Sequence, residues 1–359
     1  MSGGQNVFVT GYYGTGSSAV IDLMSEYDGV ECAIGRRYEH SLFLCRGGLL
    51  DLYDRCFGSM TNRMIRDNAI NGFIDEMYRQ NDNDFGWYGS YKKLYGKKFS
   101  SLVDEFLAAI SVEGDKKAIA HGKGVRFSLI KAVLQLGAAV LKGYKITKLG
   151  RQYVYDGKTT RYLTADEETF VAAAQKFTAA YMEMCKTADT MIYDHIILPE
   201  QCASMRKFFP DSKLIIVDRD VRDVYLSSYY VWNTVRCGKQ TAPFPDGIDA
   251  FCNAWKEAHE RAEKFAEGNP NILFVQFEDL IYDYDAAVKK VADFCGLDEG
   301  AHARKGKILQ PERSIKNTQV FLKDEKFAAD CEILKQKLGK YFYDFPYATD
   351  TAIKEVEDF

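Results

Sequence analysis

The chain has 359 residues, 47% of them hydrophobic, which is enough for a large packed core and excludes disorder as its main state. Its 47 basic and 51 acidic residues leave a net charge of −4, so it does not coat nucleic acid or an anionic membrane by bulk charge, and any anion site has to be local. The longest nearly continuous apolar run, Ala132 to Leu141, is about half of what a bilayer-spanning helix needs, and the opening MSGGQNVFVT has no basic-then-apolar signal pattern. The expectation is a cytoplasmic protein with no transmembrane segment.

In chain order, the first strand is predicted over Val7 to Thr10. It runs into Gly11-Tyr12-Tyr13-Gly14-Thr15-Gly16-Ser17-Ser18 and then into a helix marked by Ala19, Val20, Leu23, Met24 and Tyr27. A strand, a glycine turn and a helix start form a geometry whose free amides and dipole cradle a phosphate. The glycines alone are equally explained by a tight turn capped by Ser17 or Ser18. Against the Walker A pattern the glycines and final hydroxyl fit, but Ser17 stands where the lysine belongs, which disfavours an ATPase or kinase.

A second strand is predicted over Val30 to Ile34, followed by Arg36-Arg37-Tyr38-Glu39-His40. Residues 40–188 read as a helical insertion within a single domain spanning 1–359, because no linker composition marks its edges. This insertion carries a further strand at Tyr144 to Leu149. Its Trp87, Tyr88, Tyr91, Lys92 and Arg151 read either as an acceptor-binding wall shaping the substrate site or as solvated loops with aromatic anchors.

A helix over Phe170 to Met184 leads to a third strand, Thr190 to Tyr193, and then to Asp194-His195. The fourth strand, Leu214 to Val217, leads into Asp218-Arg219-Asp220-Val221-Arg222-Asp223, with Ser227 two helical turns on. A guanidinium and a hydroxyl so placed can grip one phosphate; the same residues also suit an ion-pair ladder or a helix cap at Asp220. A helix over Phe251 to Phe265, a fifth strand over Ile272 to Phe277 and a helix over Ala286 to Phe294 complete the alternation. The prediction is therefore an α/β fold, a mostly parallel five-stranded sheet with helices on both faces and ligands at the carboxyl ends of the strands. The basic stretch Arg304 to Asn317, with Ser314 and Lys316, reads as a cofactor-closing segment or as a solvated loop. Nine cysteines with no C-x-x-C pair are expected to be reduced thiols, and five histidines without metal spacing indicate no metal site.

These blocks together resemble the sulfotransferases that use 3′-phosphoadenosine-5′-phosphosulfate (PAPS) and share a P-loop-like fold. Gly11 to Ser18 is similar to that family's 5′-phosphosulfate loop, and Arg219, Arg222, Asp223 and Ser227 are similar to its 3′-phosphate motif, with Val221 in place of proline. Val275-Gln276-Phe277-Glu278-Asp279-Leu280 and the helix end Phe294-Cys295-Gly296-Leu297 are similar to its later strand, turn and helix. The resemblance implies a PAPS-dependent sulfotransferase, with desulfated product PAP, no metal and no nucleic-acid partner. Cofactor-binding residues would be Gly11, Tyr13, Gly14, Thr15, Gly16, Ser17, Ser18, Arg219, Ser227, Ser314 and Lys316. The family's basic loop residue is Gly14 here, so Arg36, Arg37, Lys123, Lys305, Lys307 or Lys316 must supply that cation, or activity has been lost. Two positions suit the base, Glu39 and His195, with Glu39 preferred and His40 or His121 next. The acceptor is expected to be a carbohydrate or glycolipid rather than a phenol or sterol. A P-loop kinase or NTPase and a non-catalytic nucleotide or glycan binder are the alternatives.

Overall fold

The computed structural model describes residues 5–12, 14–34, 40, 42–78, 96–115, 159–228, 247–323 and 327–347. The chain divides into two compact units, one of residues 1–45, 81–89 and 178–359 and one of residues 46–80 and 90–177.

The first unit is built on a five-stranded parallel sheet of β1 (Gln5–Gly11), β2 (Val30–Cys32), β5 (Thr190–Asp194), β6 (Lys213–Asp218) and β7 (Ile272–Gln276), in the order β2-β5-β1-β6-β7. The predicted α/β class and parallel sheet are both found. β1 is central because Val7, Phe8 and Val9 are fully buried, as continuous apolar runs require when both sheet faces are covered. The helix α1 (Ser17–Met24) and a later one, Tyr284–Cys295, share a core with β1 through Val20, Leu23, Val288 and Val291.

The register sets what meets at the carboxyl edge. Val9 pairs with Asp194, Gly11 with Val217 and Asp218 with Gln276, so the chain after β1 emerges between the exits of β5 and β6. The second strand stops two residues short of the predicted Ile34. There the chain leaves the sheet with Ile34 at φ 63°, a left-handed conformation that a β-branched residue rarely adopts.

The second unit holds α2 (Leu49–Phe57), α3 (Arg63–Tyr78), α4 (Lys97–Ile110), the antiparallel pair β3 (Ser111–Asp115) and β4 (Thr159–Leu163), and the start of α5 (Glu167–Cys185). Phe73, Phe106, Phe170 and Phe177 fill its interior, with Phe106 stacked on Phe177 at 5.1 Å between ring centroids. The helical reading of this insertion omitted the β3–β4 pair, whose Ser-Val-Glu-Gly-Asp and Thr-Thr-Arg-Tyr-Leu lack any apolar run. The further strand expected at Tyr144 to Leu149 lies outside the described residues.

Candidate active site

β1 ends at Gly11, and the turn that follows is shaped by two glycines in the left-handed region, Gly14 at φ 76° and Gly16 at φ 88°. Gly16 is the residue before α1, and a Cβ there would come within 2.5 Å of the Phe277 ring. Gly14 faces open space, so it is glycine for its φ and not for room. Thr15 is buried and its Oγ1 accepts the Tyr12 N–H at 3.2 Å, folding the turn on itself. No side chain caps α1 and no acidic residue stands in its first turn, so the positive end of the helix dipole has no carboxylate of its own turn beside it. Gly11, Gly14, Thr15, Gly16, Ser17 and Ser18 are thus brought into one turn; Tyr13 lies outside the described residues.

Tyr12 extends away from this turn and stacks on His259, 3.7 Å between ring centroids and 14° between planes. His259 in turn sits with Nδ1 2.8 Å from the Trp255 carbonyl and Nε2 3.1 Å from Asp218 Oδ2, the last carboxylate of β6. This ring stack buttresses the glycine turn from behind, and sequence reasoning missed it because its partners sit on separate elements.

Arg219 follows β6 directly and is 5% exposed. Its Nη1 donates to the Gly14 carbonyl at 2.9 Å and its Nη2 donates to the Asn317 carbonyl. The guanidinium lies 5.3 Å from the Phe277 ring centre and 4.0 Å from Asp223, and its Nε is buried without a hydrogen-bond partner. The short helix α7 (Val221–Ser227), with the intervening α6 at Cys202–Phe208, ends at half-buried Ser227.

Arg222 takes the other reading of the motif. It pairs with Asp220 at 2.6 and 2.9 Å and lies between the rings of Phe321 and Phe342, 3.9 and 4.1 Å from their centres. Asp220 also caps α7 through the Arg222 N–H, so the ion-pair and capping roles are both real. The run of alternating charges therefore splits: Arg222 is structural, and Arg219 faces the turn.

Behind Arg219 lie three buried carboxylates, Asp220, Asp223 and Glu278. Burial pushes Glu278 up to about 8, although its Oε1 accepts the Asp220 N–H at 2.9 Å. Asp223 is pushed up to about 6 by burial against the pull of Arg219. Because the fold holds Glu278 neutral above its ordinary value of 4.5, its contribution to stability is complete below that pH and is lost as pH rises through about 8. We expect Glu278→Gln to flatten the loss of stability between about pH 5 and about pH 8, on the order of 4 kcal/mol. Denaturant melts at three pH values would measure it; an unchanged slope would mean that Glu278 stays ionised in the folded protein.

The C-terminal basic stretch is fastened by Glu26, at the end of the first helical stretch and fully buried. Its carboxylate accepts the amides of Gly306 (3.1 Å), Ile308 (2.8 Å) and Leu309 (3.0 Å) and the Nε2–H of His302 (2.8 Å). From this anchor the chain passes half-buried Ser314 and exposed Lys316 to Asn317, whose carbonyl meets Arg219. Lys305, one of the substitutes considered for the missing loop cation, pairs with Asp285 at 2.8 Å on the surface.

His195 immediately follows β5 at φ 47°, its N–H bonded to the Val9 carbonyl at 3.0 Å. Its Nδ1 is 2.6 Å from Asp194 Oδ1, an arrangement that fixes the ring. His40, a fallback base, is instead a core residue: fully buried, 3.0 Å from the Tyr181 hydroxyl, and pulled down to about 4 by burial. Glu39, Arg36, Arg37, His121, Lys123 and the insertion's Trp87, Tyr88, Tyr91, Lys92 and Arg151 lie outside the described residues.

A cleft of about 990 Å³ opens at the opposite edge of the sheet, beside the amino ends of β2 and β5, lined by Asp28, Glu31, Lys186, Asp189 and Arg304 among others. Of the stretch read as cofactor-closing, Arg304 and Ile308 line it, but among the described residues none of the individual cofactor-binding or base residues predicted for the site does. Among the described residues no group of three or more His, Cys, Asp or Glu is placed to hold a metal, no helix is long and apolar enough to cross a membrane, and the described cysteines are not in disulfides.

Residues 100–323, more than half of the chain, match the family described as sulfotransferase domain. The match includes His195, Arg219, Ser227, Ser314 and Lys316, and begins after the glycine turn. The chain is similar to the flavonol 3-sulfotransferase of Flaveria bidentis, 30% identical over 23% of this chain and 30% of that protein. It is also similar to sulfotransferase 2A1 of Macaca fascicularis, 27% identical over 32% of this chain and 39% of that protein. The matched region thus spans well under half of these relatives' lengths. The solved structure of sulfotransferase STF1 from Mycobacterium tuberculosis aligns over 89% of this chain and 77% of its own, with a TM-score of 0.38 and 12% identity.

Proposed function

Because the chain belongs to the sulfotransferase domain family, we propose that it transfers a sulfuryl group from PAPS to a hydroxyl or amine of an acceptor. The observation that carries this reading is the meeting, at one sheet edge, of an anion-ready helix start and Arg219 from the neighbouring strand. The residues fit such a donor: the turn presents amides and no acidic side chain, and Arg219 keeps a buried Nε without a partner. PAPS, when bound, supplies the activated sulfuryl group.

In this reading the amides from Gly16 to Ser18 hold the 5′-phosphate and stabilise the charge that grows on the oxygen it shares with sulfur. Arg219 and Ser227 receive the 3′-phosphate, with Ser314 and Lys316 closing over it. The acceptor proton goes to a base at the same edge. His195 is suited to this by its place directly after β5 and by Asp194, whose Oδ1 lies 2.6 Å from Nδ1 and orients the ring. Glu39 remains the other proposed base.

We read residues 1–359 as one sulfotransferase-like domain in the cytoplasm, with the insertion over 40–188 shaping the acceptor site. Its rings and cations favour a carbohydrate or glycolipid acceptor. Ser17 at the Walker lysine position counts against a kinase.

Calorimetry with PAP, AMP and ATP tests the donor, and turnover of PAPS on glycan and phenol panels tests the acceptor. PAP is expected to bind at least about tenfold more tightly than AMP or ATP, since one charge-assisted contact contributes about 1.5–3 kcal/mol. His195→Ala is expected to keep PAP affinity and lose turnover. Equal affinity for ATP and PAP would overturn the donor; full turnover in His195→Ala would move the base to Glu39.

A further inference from the structure

We propose that Arg219 is a positioning residue that clamps the glycine turn to the C-terminal segment 315–319, so that order in one segment depends on order in the other. This goes beyond a phosphate contact and rests on the proposed nucleotide only for part of its test.

One buried guanidinium spends two of its three nitrogens on backbone carbonyls, Gly14 on one side and Asn317 on the other. Carbonyls are acceptors that cannot leave, unlike water, and the C-terminal segment also holds a non-glycine residue in the left-handed region, Gln319 at φ 52°, two residues past Asn317. Each segment is fixed at its far end by contacts of its own. The turn leans on Thr15 and on the Tyr12–His259 stack, while the C-terminal segment is held by Glu26 upstream and by Thr318 Oγ1 at 2.6 Å from the Tyr282 hydroxyl. Between them the fork of Arg219 is a direct polar link. The Phe277 ring beneath the guanidinium and the Asp223 carboxylate behind it keep the fork from swinging out. A lysine retains the charge but not the planar fork, so it cannot serve both carbonyls at once.

The test is Arg219→Lys, followed by hydrogen exchange of peptides covering residues 14–18 and 315–319, first without nucleotide. Exchange is expected to rise several-fold in both segments while the sheet peptides stay unchanged, a result that needs no ligand. Unchanged exchange in either segment overturns the clamp, as does a uniform rise across the sheet, which would mean general destabilisation. In the second arm, saturating PAP is expected to slow exchange in both segments of the wild type and only in the turn of Arg219→Lys. Affinity for AMP should then fall about tenfold through the lost turn geometry, and that for PAP by at least as much because it also loses a 3′-phosphate contact; a loss confined to PAP would make Arg219 a 3′-phosphate ligand only. If the wild type binds no PAP, the donor assignment fails while the nucleotide-free exchange still decides the clamp.

Discussion

Gly16→Val is expected to unfold at a lower temperature and to lose PAP binding by more than an order of magnitude. Two independent costs meet at this position. Valine at φ 88° is forced into a region where a β-branched residue loses on the order of 1–3 kcal/mol. Its Cβ would also stand 2.5 Å from Phe277, a ring that is only 5% exposed and lies under Arg219, so the ring has nowhere to retreat without moving the guanidinium. Gly14→Ala separates the two effects, because Gly14 has the same sign of φ but no neighbour within 4 Å of the new carbon. That variant should pay for strain alone and keep most of its affinity. Thermal unfolding and calorimetry on both variants make the comparison, and a folded Gly16→Val with wild-type affinity would remove the turn from the binding site.

The second large effect is on stability. Glu26→Ala is expected to cost about 3–5 kcal/mol, because a buried anion leaves and its donors stay behind. Three backbone amides, Gly306, Ile308 and Leu309, together with the His302 ring, all lose their acceptor, and of these Leu309 is buried. Glu26→Gln tests the same contacts without opening a cavity; its NH₂ would point donors at donors, so it should be destabilising too. Denaturant or thermal melts measure both, and a change in Glu26→Ala within the roughly 0.5 kcal/mol typical of surface sites would show that this segment carries little of the fold.

The parts of this fold that were legible in the sequence share one physical origin. Buried parallel strands have to be continuous apolar runs, and Val7 to Thr10 or Leu214 to Val217 admit no other use, so the sheet and its ligand edge could be read directly. The glycine turn was legible because φ near 80° is a backbone demand that selects glycine at two positions in three residues. What escaped were contacts whose partners lie far apart in sequence. Glu26 looked like an ordinary polar residue near a helix end, and only the tertiary fold brings the amides of 306–309 onto it. Arg222 and Arg219 carry the same charge three residues apart, and no local rule says which one turns to Asp220 and which to Gly14. The β3–β4 pair was missed because its strands are polar, and Ile34 because a positive φ at isoleucine runs against propensity.

The central place of β1 also sets a timetable for making the protein. Its two neighbours in the sheet begin only at Thr190 and Lys213, so about half of the chain is synthesised before β1 can gain its first lateral hydrogen bond. At roughly 5–20 residues per second on the ribosome, that wait is on the order of ten seconds or longer. Throughout it, Val7-Phe8-Val9 is an apolar segment with both edges open, the kind of sequence that pairs readily with another copy of itself. Closing so long a loop is expected to make the return of the chain into β5 a slow step of folding. Native yield is therefore expected to depend on how well β1 is shielded until its partners arrive, and refolding yield measured at rising protein concentration would show it.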